Sequence, residues 1–184
     1  VAGLLDVAVT LGVQRIIGLG GVFGEVPYDK DRNISCNYSL PHMKEEIKKL
    51  VVTLSDYQGG ASIGSIICRR SADRGMEYVG LYALAPLYDF SEIEKIGTTI
   101  RIENDFTAWL GIMRRINHMI KLNFDILDLE EKSQNLIRLI DTKVAEYDNA
   151  APLVGVRDYF RKLSEAFTEA SFDPLYDVWD EKLR

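Results

Sequence analysis

The chain has 184 residues, of which 47% are hydrophobic and 27% are charged, and its formal net charge is -6. This length and composition suit one globular domain, or one domain with a helical appendage. No apolar run reaches the ~18 residues that a membrane span needs, and the first residues lack the basic start and the cleavage site of a signal peptide, so we expect a cytosolic protein.

The negative charge is concentrated in the C-terminal third. Residues 1–124 hold 14 acidic and 14 basic side chains, whereas residues 125–184 hold 14 acidic and 8 basic ones. Nucleic-acid binding requires clustered Lys and Arg, which this chain lacks, so we expect no nucleic-acid partner. Cys36 and Cys68 have no metal-ligand or redox spacing. We therefore predict buried or incidental thiols, no metal site and no cofactor.

The first half of the chain alternates predicted helices and strands. Residues 14–21 and 51–54 predict strands, and 61–73 predict a helix. Residues 78–87 are almost wholly apolar, as in a strand that is covered on both faces of a parallel sheet and ends near Pro86. Two apolar stripes are expected on helices: Leu4, Leu5, Val7, Ala8 and Leu11 on one side of a helix at 1–13, and a buried stripe of Ile63, Ile66 and Ile67.

The second half is predicted to be mainly helical. Residues 106–122, 129–147 and 154–170 have apolar side chains at helical spacing, and Asn104 or Asp105 is the expected cap of the first helix. Three helices exceed what one sheet face needs. Either they simply cover the sheet, or part of their apolar surface contacts another copy or another protein. The predicted interface residues are Phe106, Trp109, Met113, Leu136, Ile140, Val144, Tyr159 and Phe160.

Several short motifs together carry a family resemblance. They are Gln14 to Gly21 (QRIIGLGG), Tyr57-Gln58-Gly59-Gly60, Ile63-Gly64, Arg74-Gly75 before the long strand and Ala85-Pro86-Leu87-Tyr88 after it. In this combination the sequence resembles the proteasome assembly chaperone family in its archaeal-type form. The resemblance implies an α/β three-layer sandwich with a mixed, mostly parallel sheet, similar in fold to nucleoside phosphorylases. The charge split near Phe124 divides the chain into an α/β domain at 1–124, in which the resemblance implies missing N-terminal strands, and an acidic helical extension at 125–184.

The resemblance also implies a function. Members of this family bind proteasome subunits, α subunits among them, and archaeal members self-associate, so we expect a non-catalytic, homo-oligomeric binding module. Some members end in a tail of the form hydrophobic-Tyr-any residue that docks on the proteasome ring. This sequence ends Glu181-Lys182-Leu183-Arg184 and departs from that pattern. A purely self-assembling scaffold is a further alternative.

Enzymatic alternatives rest on a few residues. Gly60-Ala61-Ser62-Ile63-Gly64 matches the G-x-S-x-G motif of α/β hydrolases, with His118 as the histidine that a triad would need and Asp89 or Asp105 as its acid. The same turn is an anion-site candidate formed by Gly59, Gly60, Ser62 and Gly64. Because phosphorylases and hydrolases share the implied fold, a nucleoside site is also conceivable, with these polar side chains: Glu25, Tyr28, Asp29, Asp31, Tyr88 and Asp89.

Overall fold

The structure, a computed structural model, describes residues 1–55, 62–91, 98–150 and 152–172. Contacts between residues divide the chain into two compact units. Unit 1 consists of Val1–Gly20 and Ile34–Tyr82, and unit 2 consists of Gly21–Asn33 and Ala83–Arg184. Compactness is a different property from independent folding, so the predicted boundary at residue 124 stays a prediction.

Helices and strands alternate in the first part of the chain, and helices dominate after it, as the sequence pattern indicates. The strands are β1 (Arg15–Gly24), β2 (Ile34–Tyr38), β3 (Thr53–Leu54), β4 (Glu77–Phe90) and β5 (Thr98–Arg101). The helices are α1 (Ala2–Thr10), α2 (Lys44–Lys48), α3 (Ile63–Ala72), α4 (Phe106–Ile120), α5 (Leu127–Ala150) and α6 (Val156–Ala166). Short 3-10 turns at Pro41–Met43 and Pro152–Val154 precede α2 and α6.

The strands of the described residues form one sheet in the order β1-β4-β2-β3, and β5 pairs with β4. Strands β2 and β3 are parallel, with Ser35 opposite Thr53, whereas β4 and β5 are antiparallel, with Leu87 opposite Arg101. The fold is therefore α/β, with a mixed, mostly parallel sheet and helices on both sides, which confirms the predicted fold class. Strand β4 is longer than predicted because it continues past Pro86, where its pairing with β5 begins.

In unit 1, helix α3 lies close to the tyrosines of β4. The Ser62 hydroxyl accepts a hydrogen bond from Ser65 N (3.1 Å) and caps the helix. A Cβ atom on Gly64 would lie 2.1 Å from the Tyr82 hydroxyl, and one on Gly18 would lie 2.2 Å from the Tyr78 hydroxyl. A side chain at either position would collide with a tyrosine hydroxyl, so the tyrosine would have to shift to admit it.

The predicted buried stripe on α3 is wrong, although the helix itself is confirmed. Ile63 is 72% exposed and Ile66 is also exposed, whereas Ser71 is fully buried and Ile67 is partly buried. The inward face is formed by Gly64, Ile67 and Ser71, which share the spacing i, i+3, i+7. Gly64 on this face lets the helix approach Tyr82 closely, so hydrophobicity alone points to the wrong side of the helix.

Helix α1 belongs to unit 1 and buries only part of its predicted stripe. Leu5 and Ala8 form a small apolar cluster with Met76, against which Ile16 and Ile67 pack. The other stripe members, Leu4, Val7 and Leu11, are exposed. The stripe spans more of the helix surface than the residues of unit 1 cover.

Unit 2 contains a buried ion pair. Arg32 and Asp105 are 2% and 3% exposed, and the guanidinium Nε donates to Asp105 Oδ2 at 2.8 Å. The same guanidinium donates to the main-chain oxygens of Pro27, Tyr28 and Lys30, and so folds the loop that precedes it around its own charge. Asp105 also accepts a hydrogen bond from Ala108 N (3.1 Å). Of the two predicted caps of α4, Asn104 and Asp105, it is therefore Asp105 that caps the helix.

The main core of unit 2 lies between β4 and helices α5 and α6. Seven buried residues form it: Tyr28, Tyr88, Phe90, Ile102, Val144, Val156 and Phe160. Helix α6 ends at Ala166, four residues before the predicted end, because residues 167–172 continue as an extended segment. The Asn33 amide holds this segment by bonding both Thr168 O and Ala170 N at 3.2 Å.

Candidate partner-binding groove

An apolar groove of about 510 Å³ lies in unit 2 beside helix α5. One wall is the stretch from β5 to the start of α4, and the other is α5 itself. The aromatic residues of β4 and α6 form the floor. Its lining consists of Tyr88, Phe90, Ile100, Arg101, Ile102, Glu103, Asn104, Phe106, Leu136, Leu139, Ile140, Lys143, Val144, Tyr147, Val156 and Phe160.

The floor of the groove is rigid and apolar. The rings of Tyr88 and Phe160 meet edge to face with centroids 4.7 Å apart, and Phe90 lies 6.1 Å from Phe160. The Tyr88 hydroxyl donates to Val26 O at 2.6 Å, and burial raises the pKa of this phenol far above its usual value. Tyr88 therefore stays neutral and uses its hydroxyl within the fold, which leaves ring carbon to face a ligand.

The lip of the groove is exposed. Leu139 on α5 is 58% exposed, and its neighbours Leu136 and Ile140 are only partly buried. These residues sit at spacings of three and four on one face of α5. A leucine in this position loses little solvent contact on folding, so it remains available for contact with another molecule.

The charged side chains of the lip are paired with exposed neighbours. Arg101 donates to Glu103 Oε1 at 2.8 Å, and Lys143 donates to Glu146 Oε2 at 2.6 Å. A third cation, Lys132, lies 5.8 Å from the ring centroid of Phe106. Exposed pairs of this kind contribute only about 0–1 kcal/mol each, so a ligand can exchange for either carboxylate at low cost.

Five of the eight predicted interface residues line this groove: Phe106, Leu136, Ile140, Val144 and Phe160. Val144 and Phe160 are buried in the core of unit 2, so they form the floor rather than an exposed surface. The other three lie outside the lining. Trp109 is 44% exposed and packs edge-on against Phe106, Met113 is partly buried, and the Tyr159 hydroxyl donates to Glu25. The predicted interface itself stays a prediction.

The residues suggested for a nucleoside site hold unit 2 together. The Tyr28 hydroxyl donates to Asp141 at 2.7 Å, Asp29 accepts from Ser164, and Asp89 accepts from Ser91 N. Burial and the Asp141 carboxylate raise the pKa of Tyr28, which keeps it protonated as a donor. Tyr28 and Asp29 also border a second cavity of about 480 Å³. Within its lining, Tyr28 bonds to Asp141, Ser164 to Asp29 and Arg161 to Glu165.

The hydrolase and anion-site candidates have structural roles where they are described. Gly59 and Gly60 lie outside the described residues. Ser62 is the relaxed, extended cap of α3, with φ -80° and ψ 160°, whereas the serine of a nucleophile elbow sits on a strained turn. Gly64 packs against Tyr82. His118 lies on α4 of unit 2, where its ring meets Phe172 edge-on at 5.5 Å. The hydrolase alternative remains an untested prediction.

Sequence reasoning missed three residues of the lip: Arg101, Leu139 and Lys143. Leu139 and Lys143 follow Leu136 at helical spacing, so a wider reading of the α5 stripe would have found them. Arg101 belongs to a strand that the sequence did not predict. Its place in the groove depends on pairing across a sheet, which has no local sequence pattern.

The comparison of the sequence with protein families gives one match. The model of the PAC2 family matches residues 1–143. The chain belongs to the PAC2 family. The match covers the α/β part, all of α4 and α5 as far as residue 143, and it confirms the resemblance to proteasome assembly chaperones. No curated protein matches the sequence.

Several solved structures share this fold. A PAC2 family protein from Streptomyces avermitilis has a TM-score of 0.64 at 22% identity, over 79% of this chain and 58% of its own. A proteasome-assembly chaperone homologue from Mycobacterium tuberculosis has a TM-score of 0.65 at 18% identity, over 83% of this chain and 59% of its own. PbaB from Pyrococcus furiosus, an archaeal proteasome activator, has a TM-score of 0.57 at 16% identity, over 77% of this chain and 55% of its own. The chain thus spans just over half the length of each. No helix in the described ranges combines the length and the hydropathy needed to cross a bilayer.

Proposed function

We propose that this chain is a non-catalytic protein-binding module that acts in the cytosol on proteasome α subunits and works as a homo-oligomer. The observation that carries the proposal is the groove beside α5, because its floor is preformed and apolar while its lip is exposed. Protein-binding sites commonly combine a rigid aromatic core with a polar rim. Membership of the PAC2 family and the names of the structural relatives supply the partner class.

Binding to proteasome α subunits is measured by light scattering of the chain alone and after mixing with α subunits from the same organism. The expected result is a discrete oligomer of the chain that shifts to a larger stoichiometric complex. The first variant is Leu139→Glu, which places a charge on the lip of the groove. It should weaken the complex at least about tenfold, since it removes the apolar contact of the leucine and forces a carboxylate out of water, which together cost more than about 1.4 kcal/mol.

The matched control is Leu127→Glu on the same helix. Leu127 is 70% exposed, lies outside the groove lining and occupies the first turn of α5, where a carboxylate is tolerated. It should leave the complex unchanged. If the two variants bind α subunits with equal affinity, the groove is not the binding site. A wild-type chain that ignores the α subunits at micromolar concentration would contradict the proposed partner.

A further inference from the structure

The floor and the lip of the groove place different demands on a ligand. The floor offers the faces and edges of Tyr88, Phe90 and Phe160, and the Tyr88 hydroxyl is already bonded to the main chain. A ligand gains most there by burying apolar side chains. A volume of about 510 Å³ has the size of a small-ligand pocket, enough for a few large side chains.

The charged lining of the groove is mainly cationic. Two of its three charged residues are the cations Arg101 and Lys143, and Glu103 is the third. Lys132 lies beside Phe106 but pairs with Asp128 at 2.7 Å, so it adds no net charge. The net positive charge of the lining residues contrasts with the acidic composition of residues 125–184. Because Glu103 and Glu146 are exposed partners, a carboxylate of a ligand competes with them on nearly equal terms.

From these two demands we infer the chemistry of the partner segment, an inference that rests on the proposed function. The groove binds a short segment of another protein that carries two or three large apolar side chains flanked by carboxylates. The apolar side chains lie on the floor between Phe160 and Leu139. The carboxylates pair with Arg101 and Lys143 at the lip. Apolar burial supplies most of the affinity, and the charges select the segment.

The test uses three synthetic peptides with the same Leu-Phe-Leu core, flanked on both sides by glutamates, by serines or by lysines. Their affinities for the full chain are measured by fluorescence anisotropy at 0.05 M and 1 M salt. At low salt the glutamate peptide should bind roughly tenfold more tightly than the lysine peptide, with the serine peptide between them. At 1 M salt, where the screening length falls to about 3 Å, the three affinities should converge.

Two variants separate the charges from the floor. Charge reversal at the lip, with Arg101→Glu and Lys143→Glu together, should invert the order of the peptides, and Leu139→Glu should weaken all three. All three positions are exposed, so the variants should unfold at the same denaturant concentration as the wild type. An order that is absent or reversed in the wild-type chain overturns the inference.

The outcome is distinguishable from failure of the proposed function. If α subunits bind and the peptides show no charge preference, the binding function stands and the inferred chemistry fails. If Leu139→Glu converts an oligomer of the chain to monomers, a second copy fills the groove and the inference is likewise overturned. If the glutamate peptide is preferred while α subunits do not bind, the chemistry stands and the partner class is wrong.

Discussion

Unit 1 and unit 2 accommodate their tyrosines in opposite ways. In unit 1, Tyr78 and Tyr82 lie against glycines, so each tyrosine ring fills the space that a side chain at the glycine would occupy. In unit 2, Tyr88 lies edge-on against Tyr159 and Phe160 and stacks at a small angle on Phe90, and this aromatic cluster borders a groove. Close packing of large against small residues makes an added atom costly. The aromatic arrangement, in contrast, tolerates change at its lip and therefore suits recognition.

The largest effect is expected from the buried charge of unit 2. Arg32→Ala removes the partner of Asp105 and leaves a carboxylate buried without its counter-charge, which typically costs about 3–5 kcal/mol. Urea unfolding followed by circular dichroism measures this loss. Arg101→Ala is the matched control, because it breaks an exposed pair and should cost less than about 1 kcal/mol. Similar losses in the two variants would contradict the role of burial.

An intermediate effect is expected from the close packing of unit 1. Gly64→Ala places a methyl group against the Tyr82 hydroxyl, and overpacking of this kind costs about 1–3 kcal/mol. The double variant with Tyr82→Phe removes the colliding oxygen, so the alanine should cost less in that background. The coupling energy of the double-mutant cycle is the measurement.

The control for this cycle is Gly3→Ala in α1, where an added Cβ has no atom within 4 Å. It should stabilise the chain by up to about 1 kcal/mol, because alanine favours the helix. A Gly64→Ala variant as stable as Gly3→Ala would show that the contact with Tyr82 yields without cost.

The smallest effect concerns the thiol of Cys36 in unit 1. Burial raises the pKa of Cys36 to about 12. Above pH 9 the unfolded chain loses this proton while the folded chain keeps it, so the thiol contribution to stability is present below pH 9 and is lost as the pH rises towards 12. Between pH 8 and pH 10 the free energy of unfolding should fall by about 1 kcal/mol more for the wild type than for Cys36→Ala. Equal slopes in urea unfolding at the two pH values would exclude this contribution.

Elements that depend on local pattern were predictable from the sequence. The helix at α4, its Asp105 cap and the apolar core of β4 follow from spacing, capping and hydropathy, and the structure has all three. The inward face of α3 was not predictable in this way. Ile63 and Ile66 are the most hydrophobic choice, but the close approach of Tyr82 selects the face of Gly64.

The groove was predictable only in part. Its α5 wall follows from the helical stripe, whereas its β5 wall depends on antiparallel pairing between distant residues. The ion pair of Arg32 and Asp105 joins residues that are 73 positions apart in the sequence. Each is preceded by polar residues that are typical of an exposed loop. Physical contact at that separation has no periodicity to reveal it.

Asp105 has a second consequence that concerns the order of folding. The same carboxylate caps α4 and binds the guanidinium around which the 27–32 loop is folded. The loop and the first turn of α4 each need the other for their full stability. The two segments are far apart in the sequence, but they form in one cooperative step. Loops usually open locally at little cost, but this loop shares the opening free energy of a helix. The Ala108 amide, which is bonded to Asp105, should therefore exchange with solvent only as fast as this shared opening allows.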